Sequence, residues 1–197
     1  MPRPGSWAAR SVGLVAVVGA LAGTSALVWQ ASYSSFSATT SNSSNTWAAG
    51  TVVLNNDSST AMFSATGLKP GSTATKCIAV TSTGSLASAV KLYGSSYTTT
   101  NGLGSALNLT ITQGTGATTS SCSGFVADTS NSSVYTGTLA GFSAATSFSN
   151  GLGTWTPTGT ASETKAYRFV YTVDPSAANS VQGGTAAIGF TWEAQNS

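Results

Sequence analysis

Residues 165–173 read Lys-Ala-Tyr-Arg-Phe-Val-Tyr-Thr-Val, and residues 186–193 read Ala-Ala-Ile-Gly-Phe-Thr-Trp-Glu. In the first stretch Lys165, Tyr167, Phe169, Tyr171 and Val173 fall on one face of an extended chain, with Arg168 and Thr172 on the other. In the second, Ala186, Ile188, Phe190 and Trp192 oppose Gly189, Thr191 and Glu193. An apolar period of two marks a strand with one buried side. Asp174-Pro175 ends the first strand and Gln182-Gly183-Gly184 precedes the second, all residues that favour turns.

Working outward, the same pattern recurs. Leu107–Thr112 alternates apolar and polar residues, and Thr75–Thr81 and Ala89–Tyr93 read as further strands. Thr51–Leu54 is predicted as a first strand, stopped by Asn55-Asn56-Asp57, with a short second one over Ala61–Ala65. Between them and Thr75, Lys69-Pro70-Gly71-Ser72 forms a turn, because Pro70 pre-sets φ at the second position and Gly71 accepts positive φ at the third. Residues 114–160 are less regular: they hold Cys122, a short helix near Val134–Phe142, and a Gly/Ser/Thr-rich loop through Asn150–Gly153. With 33 Ser and 31 Thr, the chain has the bulk composition of a disordered stalk, but the regular apolar alternation excludes that. Many short strands joined by turns predict an all-β fold, a jelly-roll-like β-sandwich of one domain over residues 51–197.

The other end of the chain has a different character. Arg3 and Arg10 are the only charges before Asp57, and an apolar run from Val12 to Trp29 leads into small residues at Ala31–Ser35. A basic start, an apolar stretch and a small-residue exit make a helical signal peptide, assigned to residues 1–31 with cleavage within 31–35. The alternative is a membrane anchor. However, the run of about 18 residues is near the lower limit for a span, and no cationic cluster follows it. Cleavage leaves residues 32–50 as a flexible, polar N-terminal segment. It also removes two of the seven basic residues, so five Lys/Arg face five Asp/Glu and the net charge falls from +2 to zero. No basic patch remains for nucleic acid. The expected location is secreted, with signal peptidase as a processing partner and membrane contact only through the uncleaved leader.

The chemistry is sparse. There is no histidine, which excludes Ser-His-Asp and Cys-His nucleophiles and a His-Glu-x-x-His zinc site. Ser88/Lys91 and Ser162/Lys165 match the Ser-x-x-Lys spacing of a nucleophile and its base. In so Ser-rich a chain such matches arise by chance, and both fall at predicted strands where the catalytic version opens a helix. The five carboxylates are scattered. No catalytic residue, metal ligand or cofactor is assigned. Sequons at Asn42, Asn56, Asn108 and Asn131 carry no further weight in a Ser/Thr-rich chain. An isolated pair, Cys77 and Cys122, is most simply a disulfide in an exported protein; two buried free thiols are the alternative.

The order of motifs adds a resemblance. The leader runs into Tyr33-Ser34-Ser35-Phe36-Ser37, then Asn45-Thr46-Trp47-Ala48-Ala49-Gly50-Thr51-Val52-Val53-Leu54, Leu68-Lys69-Pro70-Gly71-Ser72, Thr83-Gly84-Ser85-Leu86 and, late, Asn179-Ser180-Val181-Gln182-Gly183. This series resembles the TasA/camelysin family of Gram-positive exported proteins, with a SipW-type signal peptide and an actinobacterial-type branch. It covers the leader to about Leu92 and resumes near Tyr167–Trp192. The resemblance implies a jelly-roll subunit of an extracellular matrix or biofilm fibre. Self-association would proceed by strand exchange, the segment Phe36–Trp47 completing the sheet of the next copy. Phe36, Ala38 and Thr40 alternate along that segment, and Trp47 anchors its end. Camelysin-like members have been described as metalloproteases, a role from which a chain without imidazole departs. Two rival readings are a monomeric secreted module that binds surface or cell-wall glycan through exposed Trp and Tyr, and a hydrolase using carboxylates or a Ser-Lys pair.

Overall fold

In a computed structural model of the chain, the backbone of residues 37–39 and residues 51–196 are described. They belong to one unit, Phe36–Ser197; the preceding unit, Met1–Ser35, with the expected leader and its cleavage site, lies outside the described residues.

The long strands form where the sequence alternates. β9 (Glu163–Val173) is the centre of one sheet and β10 (Ala186–Asn196) belongs to the other. β9 is flanked by β3 (Thr73–Ser82) and β5 (Leu107–Thr115), both antiparallel to it. β2 (Leu54–Asn56) extends this sheet beyond β3, while β6 (Val126–Ala127) and β7 (Ser133–Thr138) share the far edge of β5. The second sheet runs β1 (Ser37–Thr39), β10, β4 (Ser88–Thr99), β8 (Leu152–Trp155). Two four-residue helices, α1 (Leu103–Ala106) and α2 (Leu139–Phe142), cover the space between the sheets. The protein is an all-β sandwich.

The core follows the alternation. Tyr167, Phe169 and Val173 of β9 are buried against Trp192 and Phe190 of β10. Ring centroids lie 4.7 Å apart for Phe169–Phe190 and 5.4 Å for Tyr167–Trp192. Each such side chain contributes about 1.5–3 kcal/mol on burial. Lys165 continues the same face to the end of β9, where its ammonium meets Asp128 at 3.0 Å instead of apolar neighbours.

Several local expectations change. The strand predicted over Thr51–Leu54 starts only at Leu54. Residues 51–53 run beside 83–85 through Thr83 N–H to Val53 O (3.1 Å) and Ser85 N–H to Thr51 O (2.8 Å). Gly84 lets the two backbones approach: a Cβ there would strike the Thr51 carbonyl. Ala61–Ala65 forms no strand. β4 extends six residues past Tyr93, because β10 supplies partners as far as Thr99. The expected helix over Val134–Phe142 is half strand, β7, and only then helix, with the Thr138 hydroxyl capping α2 by accepting Gly141 N–H at 3.0 Å.

Candidate functional site

β10 is the strand that defines the site. On one side it pairs with β4 along Ala186–Asn196, with a bulge between Ala187 and Gly189. On the other it pairs only with β1, through Ser37–Gln195, Ala38–Ala194 and Thr39–Glu193. Among the described residues, the Ala186–Trp192 edge therefore has no strand partner on that side. An unpaired edge presents a row of N–H and C=O groups ready for another strand.

Beneath this edge the two sheets part. A cavity of about 570 Å³ lies between Ile188, Phe190 and Trp192 of β10 and the loop after β2, with Ile78, Leu107 and Leu109 also contributing. Met62, Phe63 and Leu68 of that loop form the facing wall, Phe63 resting edge-on against Tyr171 at 5.2 Å. The apolar pattern of residues 61–65 is thus spent on lining a groove.

The wall is anchored at Asp57. Its carboxylate accepts the Ala79 N–H at 2.8 Å, the Thr119 N–H at 2.7 Å and the Thr119 hydroxyl. Partial burial pushes the carboxyl up, but these hydrogen bonds outweigh it and hold Asp57 below the ordinary aspartate range. Thr119 sits at the tip of a tight turn closed by reciprocal Thr118–Ser121 backbone bonds of 3.0 and 3.1 Å. Cys122 follows and is bonded to Cys77 of β3, Cα to Cα 5.3 Å. This strap lies over the outer face of β3 and β9. There Cys77, Ala117 and Ala166 form a small second core, and Phe125 takes the Arg168 guanidinium at 4.6 Å from its ring centre.

The remaining expected residues fall as follows. Pro70 and Gly71 occupy the turn, with Ser72 N–H bonded to Lys69 O at 2.9 Å and Gly71 at φ 81°. Ala38 lies in β1; Phe36, Thr40 and Trp47 are outside the described residues. Ser88 is buried inside the sandwich, while the Lys91 ammonium bonds the Gly153 carbonyl at 2.7 Å. Three residues apart on a strand, the two point to opposite faces. Lys165 pairs with Asp128 and Ser162 is exposed in a loop. Neither Ser-x-x-Lys spacing assembles a dyad. Asn108 is exposed within β5 and Asn131 is exposed in a left-handed turn at φ 54°.

All five carboxylates and both cysteines lie among the described residues, and each is held locally. Glu163 accepts from the Thr158 hydroxyl and N–H (2.7 and 2.6 Å), and Asp174 from Ser176 (2.7 and 2.8 Å), which lowers both carboxyls. Glu193 accepts from Tyr93 OH at 2.8 Å and Gln195 at 2.9 Å. Burial and then Glu193 push the Tyr93 phenol up to about 12. Among the described residues no three of His, Cys, Asp or Glu gather to hold a metal ion. The donor set does not fit a catalytic zinc, which needs three protein ligands in one place, and no hydrolytic step follows from it.

Fold and site together define a β-sandwich protein in which, among the described residues, one sheet edge is incomplete over an apolar groove. Residues 9–106 match the family described as camelysin metallo-endopeptidase, and the chain belongs to this TasA/camelysin family. The match ends with α1, so Tyr167–Trp192, expected as part of the resemblance, lies beyond it. No curated protein matches the chain. Among the described residues no helix is long and apolar enough to cross a membrane.

Proposed function

We propose that the protein is a secreted, non-enzymatic structural subunit of an extracellular matrix or biofilm fibre, joined to the next copy by strand exchange. The observation that carries this reading is the Ala186–Trp192 edge above its groove, unpaired on that side among the described residues, with Ser37–Thr39 seated on the adjoining Glu193–Gln195. A donor strand in the β1 register would pair Ala38 with Ala194 and Thr40 with Trp192. Paired residues share a face of the sheet, so Phe36, Ala38 and Thr40 would lie on the side of the core. Beyond them, residues 41–46 would run along the open edge, gaining main-chain hydrogen bonds as in other strand additions. The SipW-type leader belongs to the same reading, since its removal frees this segment. Membership of a family of exported proteins is compatible with secretion.

The binding-module alternative needs exposed aromatic platforms. Among the described residues the large exposed hydrophobics are Val53 and Val126, while Trp155 and Trp192 are buried. The test is assembly: purified mature protein polymerises, and protein lacking residues 36–47 does not. Normal polymers from the truncated chain would refute strand exchange through this segment.

A further inference from the structure

The disulfide is placed where it reaches the groove. Residues 58–68, the groove wall, make no backbone–backbone hydrogen bond to any other element among the described residues. They are held by Phe63, Met62 and Leu68 in the core, by the 69–72 turn at one end and by Asp57 at the other. Two of the three external bonds to the Asp57 carboxylate come from Thr119, three residues before Cys122. The strap that carries Thr119 is itself fixed by the Cys77–Cys122 bond and by Phe125 on Arg168.

Resting on the strand-accepting reading of the groove, we infer that the Cys77–Cys122 disulfide is a redox latch on the groove wall. Bonded, the strap presents Thr119 to Asp57, and Asp57 fixes residues 58–68 opposite β10. With the thiols free, the 116–125 strap leaves β3, Asp57 keeps only Ala79, and the wall loosens. Closure joins the two sulfurs and passes two electrons and two protons to the disulfide of an extracellular dithiol oxidant, which departs as its dithiol. A reducing cytoplasm holds such thiols open, so the groove is completed only after export and subunits inside the cell are poor acceptors. Cys77 is buried, but Cys122 is half-exposed, so a reductant has a sulfur to attack.

The test is limited proteolysis of the full mature protein by subtilisin, with cleavage sites read by mass spectrometry at a concentration where the protein is monomeric. Three forms are compared with the oxidised protein: protein reduced with dithiothreitol, which closes to its own cyclic disulfide; Cys122→Ser; and Asp57→Ala, which keeps the disulfide but removes the anchor. Expected is about tenfold or faster cleavage within 58–68 in all three, the scale of losing hydrogen bonds to a charged group, running well ahead of any cleavage within β9 and insensitive to low urea, because a local opening exposes little surface. Equal cleavage within 58–68 in oxidised and reduced protein would overturn the latch. So would cleavage within β9 as fast as within 58–68, since global unfolding alone would then connect the disulfide to the wall. The readout is separate from assembly: a latch without polymers refutes the fibre reading and leaves the latch standing.

Discussion

Removing the disulfide should cost this protein much of its margin of stability. Cys77 and Cys122 are 45 residues apart, so the bond closes a long loop in the unfolded chain. In the chain-entropy account a loop of that size corresponds to about 4 kcal/mol at room temperature. Replacing Cys77, which is buried against Ala117 and Ala166, by Ala adds a small packing loss, so Cys77→Ala/Cys122→Ala should lose about 4 kcal/mol. For a domain of this size each kcal/mol moves Tm by about 2–4 °C, which gives a fall of about 8–16 °C. Urea unfolding followed by tryptophan fluorescence should also show a larger m-value, because the uncrosslinked unfolded chain exposes more surface. A fall in Tm under about 3 °C with an unchanged m-value would refute the reasoning. It would mean that the strap constrains neither the folded nor the unfolded chain.

Phe169→Ala, at the centre of the aromatic cluster and fully buried, should destabilise by about 3–5 kcal/mol in urea unfolding. Asp57 titrates below its unfolded value, so its contribution is fully present above an unfolded pKa of about 3.9 and is lost as pH falls through the folded value. Asp57→Asn should flatten this acid limb of stability against pH. Tyr93 is raised to about 12, so its contribution is present below the unfolded phenol pKa of about 10 and is lost as pH rises through the folded value. Ultraviolet titration should show a late-titrating phenol that moves down in Glu193→Gln.

The strands of the core were legible in sequence because their buried faces are aromatic and strictly alternating. β9 and β10 emerge almost whole from Lys165–Val173 and Ala186–Glu193. The last six residues of β4 did not, because Gly94-Ser95-Ser96 has turn composition and Ser96 does adopt positive φ; pairing with β10 overrides it. Ala61–Ala65 misled for the opposite reason, having the apolar content of a strand but no neighbour to pair with. The Gly/Ser/Thr-rich stretch 114–160 hides β6, β7 and β8, which are only 2, 6 and 4 residues long, too short for an alternation to stand out. The site was the least legible part. Whether β10 is central or at an edge is a tertiary property that its own alternation does not encode. Asp57 and Thr119 are 62 residues apart, and nothing in either neighbourhood points to the other. The cysteine pair was readable because an even count in an exported chain implies pairing.

The central claim is that the open edge of β10 accepts the N-terminal segment of another copy. Amide-labelled mature protein lacking residues 32–47, titrated with an unlabelled peptide spanning residues 36–47, tests it by nuclear magnetic resonance. The account predicts saturable binding, with the largest amide shifts along Ala186–Gln195 and in the facing wall at 58–68. No saturable shift, or shifts confined to the outer face of β3, β9 and β5, would contradict it.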